Sequence, residues 1–261
     1  MSNNQKPHIV SIANQKGGVG KTTTVVNLAT AMAACDRKTL IIDADPQGNA
    51  STGFGIKYNE RDKDLYSVMC GNTNILNSIR NTMIPKLDII PTSPNLSVLE
   101  QELVNIENRE FIIQKLMENI KDLYDYIIID CPPSLGLLTV NALCAVKNLI
   151  IPLQTEFYAL EGLTQLIKTL DLVQHNFNQD IKLQGILLTM YDTRNKISEM
   201  VSNDVKKHFG DKVFKTIIPR NVRVSEAPSF GQPVLMYDIN CPGSQAYAAL
   251  AGEIINQEKV L

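Results

Sequence analysis

A glycine-rich string follows the first apolar run of the chain and precedes a helical pattern. Residues 14–23 read N-Q-K-G-G-V-G-K-T-T. Because glycine adopts backbone angles that other residues avoid, such a string lets successive N–H groups converge on one anion. A helix beginning at Lys21 adds the positive end of its dipole, the Lys21 ammonium adds a charge for the β- and γ-phosphates, and Thr22 offers a hydroxyl to Mg²⁺. The string therefore predicts a phosphate-binding loop with contacts at Gly17, Gly18, Val19, Gly20, Lys21, Thr22 and Thr23.

Three acidic residues stand where two apolar runs end. Asp43 and Asp45 close the run K-T-L-I-I-D-A-D, and Asp130 closes the run Y-I-I-I-D. In an open parallel sheet, the carboxyl ends of the strands border the crevice where ligands bind. An apolar strand that ends in Asp downstream of a phosphate loop predicts that Asp130 contacts Mg²⁺, directly or through water. Pro46 and Gly48 predict a turn, which either holds Asp45 toward the γ-phosphate or uses Asp-Pro only as a turn former.

The glycine-rich string departs from the plain pattern G-x-x-x-x-G-K-[ST] in two respects. Gln15 occupies the first glycine position, and Lys16 places a second lysine five residues before Lys21. In this the string resembles the K-G-G-x-G-K-[ST] loop of the deviant Walker A ATPases. The resemblance implies that ATP joins two copies of the chain face to face. It also implies that Lys16 reaches the partner's nucleotide and brings a positive charge to the transferred phosphate.

The string D-A-D-P-Q-G-N at 43–49 resembles switch I of the same family. The resemblance implies that Asp45 orients the attacking water and that Asp43 supports the outer shell of Mg²⁺. The expected catalytic residues are therefore Lys16, Lys21 and Asp45, and the expected metal-site residues are Thr22, Asp130 and Asp43.

Four further strings resemble the ParA/Soj branch, whose members segregate bacterial chromosomes and plasmids. They are E-F-Y-A-L-E-G at 156–162, T-M-Y-D at 189–192, I-P-R-N-V-R at 218–223 and E-A-P-S-F-G at 226–231, and the resemblance covers residues 7–255. It implies slow, Mg²⁺-dependent hydrolysis of ATP to ADP, which a centromere-binding protein of the ParB/Spo0J type stimulates. It also implies adenine contacts at Pro219 and Asn221.

Basic residues are concentrated between Met190 and Arg223. This segment carries eight Lys and Arg residues and four Asp and Glu residues, a net charge of +4, whereas the whole chain carries −2. A basic patch on an acidic background is typical of sequence-independent binding to the DNA backbone. The alternative for the lysines is an ordinary solvated helix face. The resemblance adds the expectation that the ATP dimer binds nonspecific double-stranded DNA, and we expect the contacts at Arg194, Arg223, Arg220 and Lys196.

Composition limits the class of protein. The 261 residues are 44% hydrophobic and 20% charged, which is ordinary for a globular protein and wrong for a disordered one. The net charge of −2 excludes a globally basic nucleic-acid binder. The five cysteines form no C-x-x-C pair, which argues against a disulfide framework or a zinc site and favours a reducing cytosol. With no apolar run long enough for a membrane span, we expect a cytoplasmic protein. The resemblance implies in addition that the protein is nucleoid-associated and has no membrane partner.

The elements that must position these residues read as alternating strands and helices. Continuous apolar runs predict strands at 8–14, 38–43, 87–91, 126–130, 148–153, 182–189 and 213–218. One-face apolar spacing predicts helices at 21–34 and 157–177, and the polar segment 57–108 reads as an excursion with short helices. This order predicts a doubly wound α/β fold with a mostly parallel sheet flanked by helices. We expect one P-loop ATPase domain over 1–261, with a flexible segment at 1–6.

Three other functions remain open. A membrane-cycling division-site ATPase of the MinD type would need a basic amphipathic helix at its end, whereas residues 250–261 carry two acidic residues, one basic residue and a glycine. An iron–sulfur reductase like the nitrogenase iron protein would need cysteines paired across a dimer, which Cys131 and Cys144 do not resemble. A nonenzymatic ATP-gated scaffold would bind nucleotide without turnover.

Overall fold

The computed structural model describes residues 7–258, so the predicted flexible segment 1–6 lies outside the described residues. The strands are β1 His8–Ile12, β2 Thr39–Asp43, β3 Arg80–Asn81, β4 Leu87–Ile90, β5 Tyr126–Asp130, β6 Asn148–Gln154 and β7 Lys182–Thr189. They form one sheet in the order β3-β4-β2-β5-β1-β6-β7. Neighbouring strands are parallel except for the antiparallel pair of β3 and β4.

Helices of very different length connect these strands. They are α1 Lys21–Ala34, α2 Asn49–Gly53, α3 Leu65–Met69, α4 Ile75–Ser78, α5 Leu99–Glu102, α6 Ile112–Met117, α7 Leu137–Cys144, α8 Ala159–Asn176, α9 Lys196–Phe209, α10 Val222–Glu226, α11 Val234–Tyr237 and α12 Pro242–Glu258. The predicted helix at 21–34 has the predicted bounds, and the helix predicted at 157–177 is α8. The excursion at 57–108 contains short helices, as predicted.

The sheet has a separate apolar core on each face. Along β5, Ile127 and Ile129 point into one core, whereas Tyr126 and Ile128 point into the other. Helices α7, α8 and α9 cover the first core, and α1 and α12 cover the second. Because both faces are buried, the central strands need apolar residues at every position, which is why they read as continuous apolar runs. The predicted doubly wound α/β fold is confirmed.

One predicted strand is wrong. Residues 213–218 follow β7 and make one bridge to it, between Val213 and Ile186, and two hydrogen bonds, Phe214 N–H to Ile186 O at 3.0 Å and Ile218 N–H to Leu188 O at 2.9 Å. Between these contacts, the N–H groups of Lys215 and Thr216 donate to the Glu253 carboxylate of α12, at 2.7 and 2.9 Å. A side chain on α12 thus takes the Thr216 N–H, the donor that a continuous ladder to β7 would use next after Phe214. Strand β3 was not predicted either, because two residues are too few to show a pattern.

The helix α12 is part of the core. Tyr247, Leu250 and Ile254 are each at most 2% exposed, and α12 packs along α1. A helix with its apolar face buried in this way does not offer that face to a membrane surface. Among residues 7–258, no helix is both long enough and apolar enough to cross a bilayer.

Candidate nucleotide-binding site

The phosphate loop, residues 14–20, joins the end of β1 to the start of α1. Gly18 and Gly20 have φ of 75° and 89°, in the left-handed region that favours glycine. A Cβ at Gly17 or Gly18 would meet no atom of residues 7–258 within 4 Å, so this side of the loop has room for a ligand. No side chain in the described part of the chain caps the N-terminus of α1. The first N–H groups of α1 therefore face the loop without a side-chain acceptor, as an anion site requires.

The side chain of Lys21 bends back over the phosphate loop. Its Nζ donates to the carbonyl oxygen of Lys16 at 3.2 Å, and the residue is 7% exposed. Burial lowers the pKa of the Lys21 ammonium, and the nearby carboxylates of Asp130 and Asp45 oppose that shift. The lysine thus lies between the loop and the acidic residues at the ends of the strands.

Two buried carboxylates meet at the carboxyl edge of the sheet, where β1, β2 and β5 end. Asp43 and Asp130 are register partners on β2 and β5, and both are fully buried. Asp43 Oδ2 accepts from the Ser51 N–H at 2.9 Å and from the Ser51 hydroxyl at 2.6 Å. Its Oδ1 and both carboxylate oxygens of Asp130 have no hydrogen-bond partner within the described part of the chain.

This arrangement is unfavourable for the protein alone. Burial raises the pKa of Asp43 to about 6, against hydrogen bonds from Ser51 that lower it. Burial raises the pKa of Asp130 as well, repulsion from Asp43 adds to the shift, and the nearby Thr22 hydroxyl opposes it. Unpartnered carboxylate oxygens that lie together in a buried site are the ligands a hard divalent cation prefers, and a cation removes their repulsion. The donor set therefore fits Mg²⁺.

Asp45 lies in the turn after β2. Its Oδ1 accepts from the Gln47 N–H at 3.0 Å, and its carbonyl oxygen accepts from the Gly48 N–H at 2.8 Å. Burial raises the pKa of Asp45, whereas the bond from Gln47 and the charge of Lys21 lower it. The Asp-Pro turn predicted from the sequence is present. It uses only Oδ1 of the Asp45 carboxylate, since Oδ2 accepts no backbone hydrogen bond within residues 7–258.

A cavity of about 480 Å³ opens between the phosphate loop and the chain after β7. The loop side is lined by Gly17, Gly18, Gly20, Lys21, Thr22 and Thr23. Asp45 and Gln47 line another part of it. The size and the mixture of apolar walls with a few polar groups are typical of a small-molecule site.

The far wall of the cavity was largely missed from the sequence. It consists of Val224, Ala227, Pro228, Gln232, Pro233 and Val234. Neither Pro219 nor Asn221 lines the cavity; the Asn221 amide oxygen caps α10 by accepting from Val224 N–H at 3.4 Å. Their predicted adenine contacts stay a prediction. The string E-A-P-S-F-G at 226–231, followed by Gln232 and Pro233, is the sequence feature that could have indicated this wall.

Lys16 points away from the cavity. Its Nζ lies 2.9 Å from Glu156 Oε2, and the two side chains are 40% and 44% exposed. Lys16 does not line the cavity, unlike Lys21. The ammonium is therefore presented at the surface of the chain beside the loop rather than inside its own site.

The basic segment, residues 190–223, begins at the phosphate loop. The buried Thr189 hydroxyl donates to the Val19 carbonyl at 2.8 Å, and Met190, with φ of 51°, lines the cavity. Arg220 lies near the start of this segment in space, because its N–H donates to the Tyr191 carbonyl at 2.9 Å. The structure thus brings the segment of Arg194 and Arg220 next to the candidate nucleotide site.

All eight basic side chains of this segment are exposed, including Lys196 at the start of α9. Two of the four predicted DNA contacts form ion pairs within the chain. Arg194 makes a two-pronged bond to Asp192 at 2.9 and 2.8 Å, and Arg223 lies 3.0 Å from Glu226. The bonds from Arg194 lower the pKa of Asp192 to about 2, and Arg220 adds to that shift.

Comparison with known proteins agrees with this geometry. The sequence matches a family described as AAA domain over residues 7–183. It is 53% identical to the chromosome partitioning protein ParA of Caulobacter vibrioides, over 96% of this chain and 95% of that protein. It is 48% identical to the sporulation initiation inhibitor protein Soj of Bacillus subtilis, over 94% of this chain and 97% of that protein.

A solved structure from Mycobacterium smegmatis has the same fold. It is described as cobyrinic acid a,c-diamide synthase with bound ADP and magnesium, and it superposes with a TM-score of 0.86 at 31% identity. The superposition covers 97% of this chain and 96% of that one. That protein holds ADP and magnesium on this architecture.

Proposed function

Because this chain belongs to the ParA/Soj family of chromosome-partitioning proteins, we propose that it is an ATP-hydrolysing switch for DNA segregation. ATP would close a homodimer, the dimer would bind nonspecific DNA, and hydrolysis stimulated by a ParB/Spo0J-like partner would release it. Such a cycle would place the protein on the nucleoid. A nucleotide-gated switch of this kind needs slow intrinsic turnover, because the timing is regulatory.

The observation that carries the proposal is the carboxyl edge of the sheet. Two buried, incompletely partnered carboxylates, Asp43 and Asp130, lie beside Lys21 and an open phosphate loop. Anion donors and cation ligands at one place are what a nucleotide with a divalent ion requires. The sequence alone did not establish that these carboxylates are incompletely partnered within residues 7–258.

Each group has a definite role in hydrolysis. The loop N–H groups and Lys21 would bind the phosphates, while Thr22, Asp130 and Asp43 would hold Mg²⁺. A bound Mg²⁺ supplies charge neutralisation at the β- and γ-phosphate oxygens. Asp45 lines the cavity and would orient the attacking water by accepting a hydrogen bond from it.

Lys16 fits a role in a second copy. Its ammonium is two-fifths exposed at the surface, next to its own loop and outside its own cavity. In a dimer closed face to face, Lys16 would leave Glu156 and bring its charge to the partner's transferred phosphate.

DNA binding would use the basic segment. The segment has eight exposed basic residues but also four acidic ones, so its net charge is only +4. One copy would therefore bind weakly, and a dimer would present the segment twice. The link from Val19 to Thr189 and on to Tyr191 supports a dependence of this surface on the nucleotide.

The function is tested by titrating double-stranded DNA with ATP, ADP or no nucleotide at several salt concentrations. We expect binding only with ATP, and a steep loss of affinity as salt rises. Arg223→Glu should weaken DNA binding while ATP affinity stays at the wild-type value. The matched control is Lys147→Glu, which reverses an exposed charge just before β6, at the opposite edge of the sheet.

Two results would contradict the proposal. Equal DNA binding without nucleotide would show that ATP does not switch the protein. An equal loss of DNA affinity in Lys147→Glu and Arg223→Glu would show that the basic segment is not the contact surface. ATP binding without any turnover, with or without DNA and a ParB-type partner, would favour a scaffold instead.

A further inference from the structure

Arg61 is a buried charged residue outside the motifs described above. It lies between α2 and α3, and only 7% of it is exposed. Within residues 7–258 its guanidinium takes part in no salt bridge. Burying a cation without a carboxylate is costly, so its position depends on the other acceptors that surround it.

Those acceptors come from two segments of the chain. On one side, Arg61 Nη1 donates to the carbonyl oxygens of Gly48 at 3.3 Å and Thr92 at 3.2 Å. On the other side, Nη2 donates to Thr52 Oγ1 at 2.9 Å and to Ile56 O at 2.7 Å, and Nε donates to the same carbonyl at 3.3 Å. One planar group thus connects the beginning, middle and end of residues 48–56 and ties them to the loop after β4.

Residues 48–56 are continuous with the catalytic turn. The Gly48 N–H donates to the carbonyl oxygen of Asp45 at 2.8 Å, and Ser51 supplies both bonds to Asp43 Oδ2. Ser51 Oγ also accepts from the Thr92 N–H at 3.3 Å. Asp45 and Asp43 are therefore each one hydrogen bond away from a segment that Arg61 fixes.

The fit around the guanidinium is close. Gly48 has φ of 64°, and a Cβ there would lie 2.2 Å from Arg61 Nη1, so glycine is required both for the turn and for the approach of the arginine. Lysine has a single ammonium in place of the planar fork and could not reach carbonyls on both sides at once. The geometry is specific to arginine.

We propose that Arg61 is a positioning residue for ATP hydrolysis, which holds residues 45–56 so that Asp45 faces the attacking water and Ser51 orients Asp43. The inference rests on the proposed ATPase function. It predicts that loss of Arg61 affects the chemical step more than nucleotide binding, because the phosphate loop itself does not contact the arginine.

The test compares wild type, Arg61→Ala and Arg61→Lys in steady-state ATP hydrolysis with Mg²⁺. For Arg61→Ala we expect kcat to fall by about 10²-fold, the scale of a small misplacement of a catalytic group, with KM nearly unchanged. Arg61→Lys should fold normally, and its kcat should lie between those of wild type and Arg61→Ala. Millimolar guanidinium chloride should partly restore kcat in Arg61→Ala, whereas ammonium chloride should not.

The matched control is Arg109→Ala. Arg109 also donates to a backbone carbonyl, that of Val104, but it touches no residue of 45–56. We expect it to keep kcat and to show no response to guanidinium. Amide hydrogen exchange without nucleotide should accelerate over residues 48–56 in Arg61→Ala and not in Arg109→Ala.

The outcomes separate the two proposals. If wild type does not hydrolyse ATP under any condition, the proposed function fails, and the positioning role fails with it. If wild type hydrolyses ATP and Arg61→Ala and Arg61→Lys retain its kcat, only the positioning role is overturned. The same holds if kcat falls in Arg61→Ala but guanidinium gives no more recovery than ammonium.

Discussion

The carboxyl edge of the sheet carries buried acidic groups, whereas the basic segment at 190–223 carries exposed basic groups. At the carboxyl edge, Asp43 and Asp130 are fully buried and their carboxylates are not fully satisfied by the protein. In the basic segment, the eight basic side chains are exposed, and Arg194 and Arg223 already have carboxylate partners.

The difference explains what each region can do. Buried charges interact strongly, because water does not screen them, so small changes at the carboxyl edge should alter chemistry by orders of magnitude. Exposed charges interact weakly and are screened by salt, so the basic segment gains strength only by summing many contacts. The proposed nucleotide site and the proposed DNA surface therefore lie at different depths of the same molecule.

The largest effect is expected at the carboxyl edge. Asp45→Asn removes the carboxylate that would orient the attacking water but keeps an oxygen to accept the Gln47 N–H. We expect kcat for ATP to fall by about 10³-fold, within the range for loss of a positioned acid–base group. Nucleotide affinity, measured by calorimetry, should stay close to that of wild type. A variant that hydrolyses ATP normally would remove Asp45 from the reaction.

A smaller effect is expected from pH. The folded-state pKa of Asp43 is raised to about 6, above its ordinary value of 3.8, so its ionised form opposes folding and stability without metal should fall as pH rises from about 4 through 6. The penalty at neutral pH is on the order of 1–3 kcal/mol. Mg²⁺ with ADP should offset it, so the gain in Tm on adding Mg²⁺ should be larger at pH 8 than at pH 5.

The substitution Asp43→Asn tests the origin of that dependence. It should raise Tm in EDTA at pH 8 and flatten the pH dependence between 4 and 6, because the ionised carboxylate is gone. An unchanged pH dependence in Asp43→Asn would assign it to another group.

The smallest effect is expected in the basic segment. Asp192→Asn removes the carboxylate that accepts both bonds from Arg194. Because an exposed ion pair is weak, we expect DNA affinity with ATP to rise by only about 1.4- to 5-fold, less at high salt. Asp211→Asn removes an equal charge from the same segment, at a residue for which no ion pair occurs in the described part of the chain. If DNA affinity rises equally in both variants, the ion pair between Arg194 and Asp192 has no specific role in DNA binding.

Some features of the fold and of the site could be predicted from the sequence, and others could not. The phosphate loop was predictable because glycines at 17, 18 and 20 leave few other backbone solutions, and the central strands because burial on both faces requires apolar residues throughout. The segment 213–218 was not, because its N–H donors go to Glu253, which lies far along the chain on α12. No local pattern encodes that competition.

The sequence by itself determined the order of elements, the phosphate loop and the three strand-end carboxylates, since these depend on local backbone preferences and on apolar periodicity. Only the tertiary structure decided which polar groups satisfy one another. It left Asp43 Oδ1 without a hydrogen-bond partner within the described residues, paired Lys16 with Glu156 and placed Arg61 among four carbonyl and hydroxyl acceptors. The physical reason is that hydrogen bonds and buried charges join residues distant in sequence, so their balance exists only after the chain has folded.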